Sequence, residues 1–191
     1  MIDVAHLAKC YSKKTMMISN GLIEKEPFLE LTTCIDAFSI DLKGFTEEIY
    51  SKLGGTLEVV KKTLKVIAER KKHLEIEFLL VPELNDDRET FIKMVKWIKD
   101  ELGSNIVLYI NGYYLSYKLK TLATEKKLLL EFYKLAKKYL NYVYLGNAGV
   151  EMDTVCSCGN LLILRDGWNI EMVGLSENGK CNKCWEKIVD M

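Results

Sequence analysis

The sequence is poor in the marks of several protein classes. It has no run of about 18 apolar residues, so no membrane span is expected. Its N-terminus lacks a charged segment followed by an apolar run, which argues against a signal peptide. The cytoplasm is therefore the expected location. The 27 basic residues balance the 27 acidic ones, so no basic footprint favours nucleic acid. Histidine is scarce. His6 and His73 lie in or beside helical patterns, far from other ligand types, and receive no role. There is no internal repeat and no low-complexity tract.

What is present suits an ordinary globular chain. The 191 residues are 49% apolar and 28% charged, enough for one core and a small appendage. Strand and helix patterns alternate over the first 149 residues. Strand patterns fall at 15–19, 37–44, 74–81, 106–110 and 142–145. Helical patterns fall at 2–13, 26–34, 46–53, 56–72, 87–102 and 125–139. The clearest helix, 87–102, carries an apolar stripe of Phe91, Val95, Ile98 and Leu102. Asp86 and Glu89 read as its capping box and Gly103 as its C-cap. Strands separated by helices imply right-handed βαβ units and a parallel sheet. The expected fold class is α/β, a partial (β/α) barrel over 1–149.

Parallel α/β folds bind ligands at the carboxyl ends of their strands. The unusual residues of this chain collect there: Ser19-Asn20-Gly21, Asp41-Leu42-Lys43-Gly44, Val81-Pro82 and Asn111-Gly112. Asp41 and Lys43 share one strand face, as do Glu75 and Glu77. A strand covered by helices on both faces reads as continuously apolar. One polar face fits instead an open barrel with a polar ligand inside. A plainer reading stands beside it. Asp41 with Lys43 is also an ordinary solvated ion pair, worth roughly 0–1 kcal/mol, and Ser-Asn-Gly is by itself a turn.

The pattern changes after Gly149. Cys156 and Cys158 form one tight pair, and Cys181 and Cys184 another, with 22 residues between. Paired cysteines in a chain without an export signal suggest a metal more than disulfides. Four thiolates suit a tetrahedral site, with structural zinc expected and iron in a rubredoxin-like site the rival. The segment between the pairs reads as a hairpin turning at Asp166-Gly167. Residues 150–191 are thus expected to form a small zinc-ribbon-like module.

Taken in order, "MMISNGLI", "IDAFSIDLKGF", "EIEFLLVPELND", "YVYLGN" and the cysteine tail resemble the activating-enzyme branch of the radical SAM proteins. These include the pyruvate formate-lyase-activating and AmmeMemoRadiSam-system enzymes. The resemblance spans nearly the whole chain. It implies a [4Fe–4S] cluster, S-adenosylmethionine (SAM) and a 5′-deoxyadenosyl radical. It places Ser19, Asn20 and Gly21 near the ribose and methionine part of SAM. It also places Asp41 and Lys43 at the methionyl end, with Lys43 available to the carboxylate.

The departures from that family are as informative. The CxxxCxxC cluster motif and the Gly-rich SAM motif are absent. The chain is therefore expected to begin after them, without the first two barrel strands. Glu83 stands where relatives carry Gly. The stretch "NGYYLSYKLKTLATEK" lacks their His and Pro, and the first cysteine pair is CxC rather than CxxC. A cluster needs thiolate ligands, so it is expected only from a missing segment or a partner. The exposed edge of the first strand is expected to be covered by an N-terminal-half protein or a second copy of the chain. A zinc-binding scaffold without catalysis, a pseudoenzyme, is the alternative function.

Overall fold

A computed structural model describes residues 1–116, 119–150, 152–166 and 169–188. The chain divides into two compact units, Met1–Gly146 and Asn147–Met191.

The first unit alternates helix and strand. Its elements are α1 (Ile2–Cys10), β1 (Met16–Ser19), α2 (Lys25–Cys34), β2 (Ala37–Asp41), α3 (Glu47–Lys52) and α4 (Leu57–Glu69). They continue as β3 (His73–Leu80), α5 (Arg88–Glu101), β4 (Val107–Gly112), α6 (Lys126–Ala136) and β5 (Tyr142–Leu145). The five strands form one parallel sheet in the order of the chain. This is the expected α/β architecture of a partial barrel, with β1 and β5 at the ends of the row.

Side-chain alternation sorts the sheet into two faces. Phe38, Ile40, Ile76, Phe78, Leu108 and Ile110 are buried on one face. There α4 packs on β3, and α6 packs on β4 and β5. A chain of tilted aromatic contacts, Phe78–Phe91 and Phe91–Phe132, links β3, α5 and α6. On the opposite face the register sets Asp41 beside Glu77, Glu77 beside Tyr109, and Tyr109 beside Tyr144. Met16 and Ile18 continue that face on β1 and are exposed.

Three local expectations are corrected. The cap of α5 is Asp87, not Asp86: Asp87 Oδ1 accepts from Thr90 N at 2.8 Å. Asp86 Oδ1 instead accepts from Glu83 N at 2.9 Å, so the neighbouring acids divide two tasks. The buried stripe of α5 takes Met94 in place of Leu102, because the helix ends one residue before Leu102. His73 is not far from other ligand types. It opens β3, and its Nε2 lies 3.0 Å from Glu75 Oε1, two residues along the same face.

The second unit holds a three-stranded antiparallel sheet of β6 (Thr154–Val155), β7 (Leu161–Asp166) and β8 (Asn169–Met172). Asp166 pairs with Asn169. The Gly167 of the expected hairpin turn lies outside the described residues. The core here is small, with Cys156, Leu162 and Cys181 buried together and Leu175 and Ile188 packed against them.

Candidate functional site

In a parallel sheet every strand's carboxyl end falls on one edge, so β1 and β2 bring their terminal residues to the same rim. The two clusters of expected residues behave differently there. Ser19 Oγ accepts from Gly21 N at 3.2 Å, and Asn20 Oδ1 accepts from Leu22 N at 3.1 Å. Both side chains thus shape the turn. Gly21 takes φ +71°, which favours glycine. A Cβ there would lie 3.0 Å from Ile40 Cγ2. Its carbonyl accepts from Thr63 Oγ1 at 2.9 Å, tying the turn to α4.

Asp41 and Lys43 do meet: Lys43 Nζ lies 2.8 Å from Asp41 Oδ2. Their side chains are 37% and 41% exposed, so the pair is reachable from solvent. It offers an ammonium and a carboxylate side by side at the sheet's open rim.

Next to Asp41 sits Glu77, half-buried. Asn111 Nδ2 donates to its Oε2 at 2.6 Å. Burial pushes the Glu77 carboxyl above its ordinary range, the Asn111 bond works against that, and the nearby Glu75 and Asp41 charges add to it. Asn111 owes its place to Gly146, where a Cβ would lie 1.9 Å from Asn111 Oδ1. The Tyr109 and Tyr144 rings complete this part of the face, with centroids 5.4 Å apart. Glu83 takes φ +65°, a left-handed conformation in which glycine is less strained.

Two residues near the rim received no role from the sequence. Tyr50 and Asn85 both reach the main chain of Lys43. Asn85 stands in the strand-end stretch "VPELND" without an assigned partner, and Tyr50 looks like one more apolar position of a short helix.

The second unit gathers the four tail cysteines. All four Sγ atoms lie within 4.8 Å of one another. Cys156 and Cys184 are 3.5 Å apart, and Cys158 and Cys181 3.7 Å. A tetrahedron with metal–sulfur bonds of about 2.3 Å has sulfurs about 3.8 Å apart. The spacing fits one metal ion held by four thiolates, despite the single residue between Cys156 and Cys158. Main-chain Lys183 N and Asn160 Nδ2 donate to Cys181 Sγ at 3.4 and 3.6 Å, which stabilises a thiolate there. Ser157 Oγ donates to Glu186 Oε2 at 2.5 Å, joining the first pair to the loop after the second.

A [4Fe–4S] cluster does not fit the first unit. Its cysteines are only Cys10, which is exposed, and Cys34, which is buried. Two thiols fall short of the thiolate set that holds a cluster.

No family model matches the chain. Among solved structures, it superposes on a domain of a pyruvate-formate lyase-activating enzyme from Bacteroides vulgatus. The TM-score is 0.67 at 16% identity, covering 76% of this chain and 89% of that one. The chain shares the α/β fold of that domain. SuiB of Streptococcus suis, bound to S-adenosylmethionine, shares it with TM-score 0.58, 18% identity and coverage of 75% and 34%. A radical SAM methyltransferase from Sphaerobacter thermophilus shares it with TM-score 0.58, 10% identity and coverage of 79% and 46%. By sequence, the chain is 34% identical over 201 aligned residues to an uncharacterized protein of Methanocaldococcus jannaschii. That match covers 98% of this chain and 58% of the relative, so the chain spans little more than half the relative's length. No described helix of the chain is long and apolar enough to cross a membrane.

Proposed function

We propose that this chain is the SAM-facing half of a radical SAM enzyme of the activating type, and that the cluster is borne by another polypeptide segment. The observation that carries this reading is the Asp41–Lys43 pair, joined at 2.8 Å on the carboxyl rim of an open parallel sheet. A methionyl group presents a carboxylate and an ammonium a few bonds apart. Lys43 takes the carboxylate, and Asp41 takes the ammonium through charge-assisted hydrogen bonds. The Ser19–Gly21 turn borders the same rim. When bound, SAM supplies the 5′-deoxyadenosyl group of radical chemistry. The residues of this chain bind and orient it.

The partner covers the free edge of β1. That strand has one neighbour in the sheet, and Met16 and Ile18 on it are 46% and 77% exposed. An unpaired edge with exposed apolar side chains favours strand addition by another element. In this reading the four tail cysteines hold a structural zinc ion, because four protein thiolates leave no open coordination position.

Titration calorimetry with SAM tests the proposal. The full chain binds SAM, and Lys43→Ala weakens binding roughly ten- to a hundredfold, the loss of a hydrogen bond to a charged group. SAM binding that is equally tight in Lys43→Ala overturns the assignment of the rim.

A further inference from the structure

Lys43 lies past the end of β2, where the ladder no longer holds the chain. Leu42 N still donates to the Glu77 carbonyl at 2.8 Å. Beyond that bond, both main-chain polar groups of Lys43 are taken by side chains from other elements. Tyr50 Oη, on α3, accepts from Lys43 N at 3.2 Å. Asn85, in the loop after β3, donates from Nδ2 to the Lys43 carbonyl at 2.9 Å.

Both partners are buried polar groups. Tyr50 is 2% exposed and Asn85 is 7% exposed. Burial pushes the Tyr50 hydroxyl up to about 12, so at neutral pH it is an uncharged phenol. The Asn85 amide is nearly saturated. Its Nδ2 also donates to the Leu79 carbonyl at 2.8 Å, and its Oδ1 accepts from Val81 N at 2.7 Å. One side chain therefore joins the end of β3 to the end of β2. Gly44 completes the arrangement: a Cβ there would lie 2.8 Å from Ile49 Cδ1, so the chain after Lys43 runs hard against α3.

Burying a polar side chain costs free energy unless its bonds are made. Main-chain groups at an open rim are ordinarily satisfied by water. Two buried polar side chains from separate elements converge here on one residue, the residue whose ammonium faces Asp41. Such a clamp fixes the Cα of Lys43 while leaving its side chain free to turn from Asp41 to a ligand.

We propose that Tyr50 and Asn85 are positioning residues that hold the main chain of Lys43, so that its ammonium meets the carboxylate of a bound amino-acid moiety. The proposal rests on the reading of the rim as the methionyl end of a SAM site. Neither residue touches the ligand, and both act through Lys43.

The test titrates the full chain with SAM and with decarboxylated SAM, which lacks the carboxylate, and measures amide hydrogen exchange at Lys43. Tyr50→Phe removes one hydroxyl from a packed ring. Asn85→Asp keeps the acceptor and loses the donor, and it replaces Asn85→Ala if that variant does not fold. Each variant is expected to weaken SAM about three- to tenfold, to leave decarboxylated SAM unchanged, and to speed exchange at Lys43 N–H. Placed in a Lys43→Ala background, the loss disappears. Equal weakening of both probes, or a loss that persists without Lys43, makes the two residues merely structural and overturns the proposal. Unchanged SAM affinity in both variants, with Lys43→Ala still impaired, overturns the clamp alone. A wild-type chain that binds no SAM, or a Lys43→Ala variant that binds it normally, overturns the rim reading and the clamp together.

Discussion

Stripping the metal from the tail, or changing Cys181 to Ser, is expected to unfold the second unit and leave the first intact. The magnitude follows from how little else holds that unit. Among the described residues its buried cluster is Cys156, Leu162 and Cys181, so two of the three core side chains belong to the four-cysteine group that can hold the ion. Burial of Leu162 contributes about 1.5–3 kcal/mol. A structural zinc ion contributes about 10–16 kcal/mol in small metal-organised domains. Half-buried Ile163, Leu175 and Ile188 each add less than Leu162, so an ion of that strength still outweighs the apolar core, and its loss exceeds what the hairpin alone can offset. Limited proteolysis with mass spectrometry reads this directly. Chelator-treated, reduced protein is cut within 147–188, the 1–146 fragment survives, and added zinc restores resistance. Metal analysis of the purified chain gives one ion per chain, and a coloured thiolate-to-metal charge-transfer band marks iron instead of zinc. A tail that resists protease equally well after metal removal, with no disulfide formed, refutes the reasoning.

Two further outcomes follow from unit 1. Gly21→Ala is expected to lower unfolding stability by about 1–2 kcal/mol for a left-handed backbone and about 1–3 kcal/mol for crowding against Ile40 and Val60. Urea denaturation measures the sum, and a change below about 0.5 kcal/mol contradicts the packing described at that turn. Glu77→Gln is expected to raise stability at neutral pH and not in acid. The Glu77 carboxyl is raised in the folded state, chiefly by burial, so the native chain holds the proton longer than the unfolded one. Stability from this group therefore falls as pH rises through the interval from the ordinary glutamate value to the raised one. Thermal melts of both proteins across that interval should diverge as pH rises, and parallel curves contradict the shift.

Much of the frame was legible in the residues. The two-residue alternation of β2 and β3 announced a sheet with one apolar and one polar face. The spacing of Phe91, Val95 and Ile98 announced α5. The close pairs Cys156/Cys158 and Cys181/Cys184 announced a four-sulfur group. Other features were not legible because their partners lie far apart in sequence. Asn85 reaches Lys43 across 42 residues, and Asn111 reaches Glu77 across 34. Neither contact leaves a periodic trace. The sequence does not tell which of Asp86 and Asp87 caps α5, because both have the same capping chemistry. The left-handed backbone at Glu83, whose N–H engages Asp86, is signalled in the sequence only by the Gly that relatives carry there.

By itself, the sequence determined what depends on near neighbours: helix and strand periods, glycine at left-handed turns, and thiol spacing within each pair. These are set by backbone sterics and side-chain direction over a few residues. Only the tertiary structure decided which distant groups meet. Parallel register placed Asp41 beside Glu77, and loop closure brought Tyr50 and Asn85 to Lys43. Folding of the second unit brought the two cysteine pairs together, with all four sulfurs within 4.8 Å of one another. The Ser-Asn-Gly turn shows the division well. Its residue types suit either a ligand or a turn, and the fold directs the side-chain oxygens of Ser19 and Asn20 back onto their own main chain.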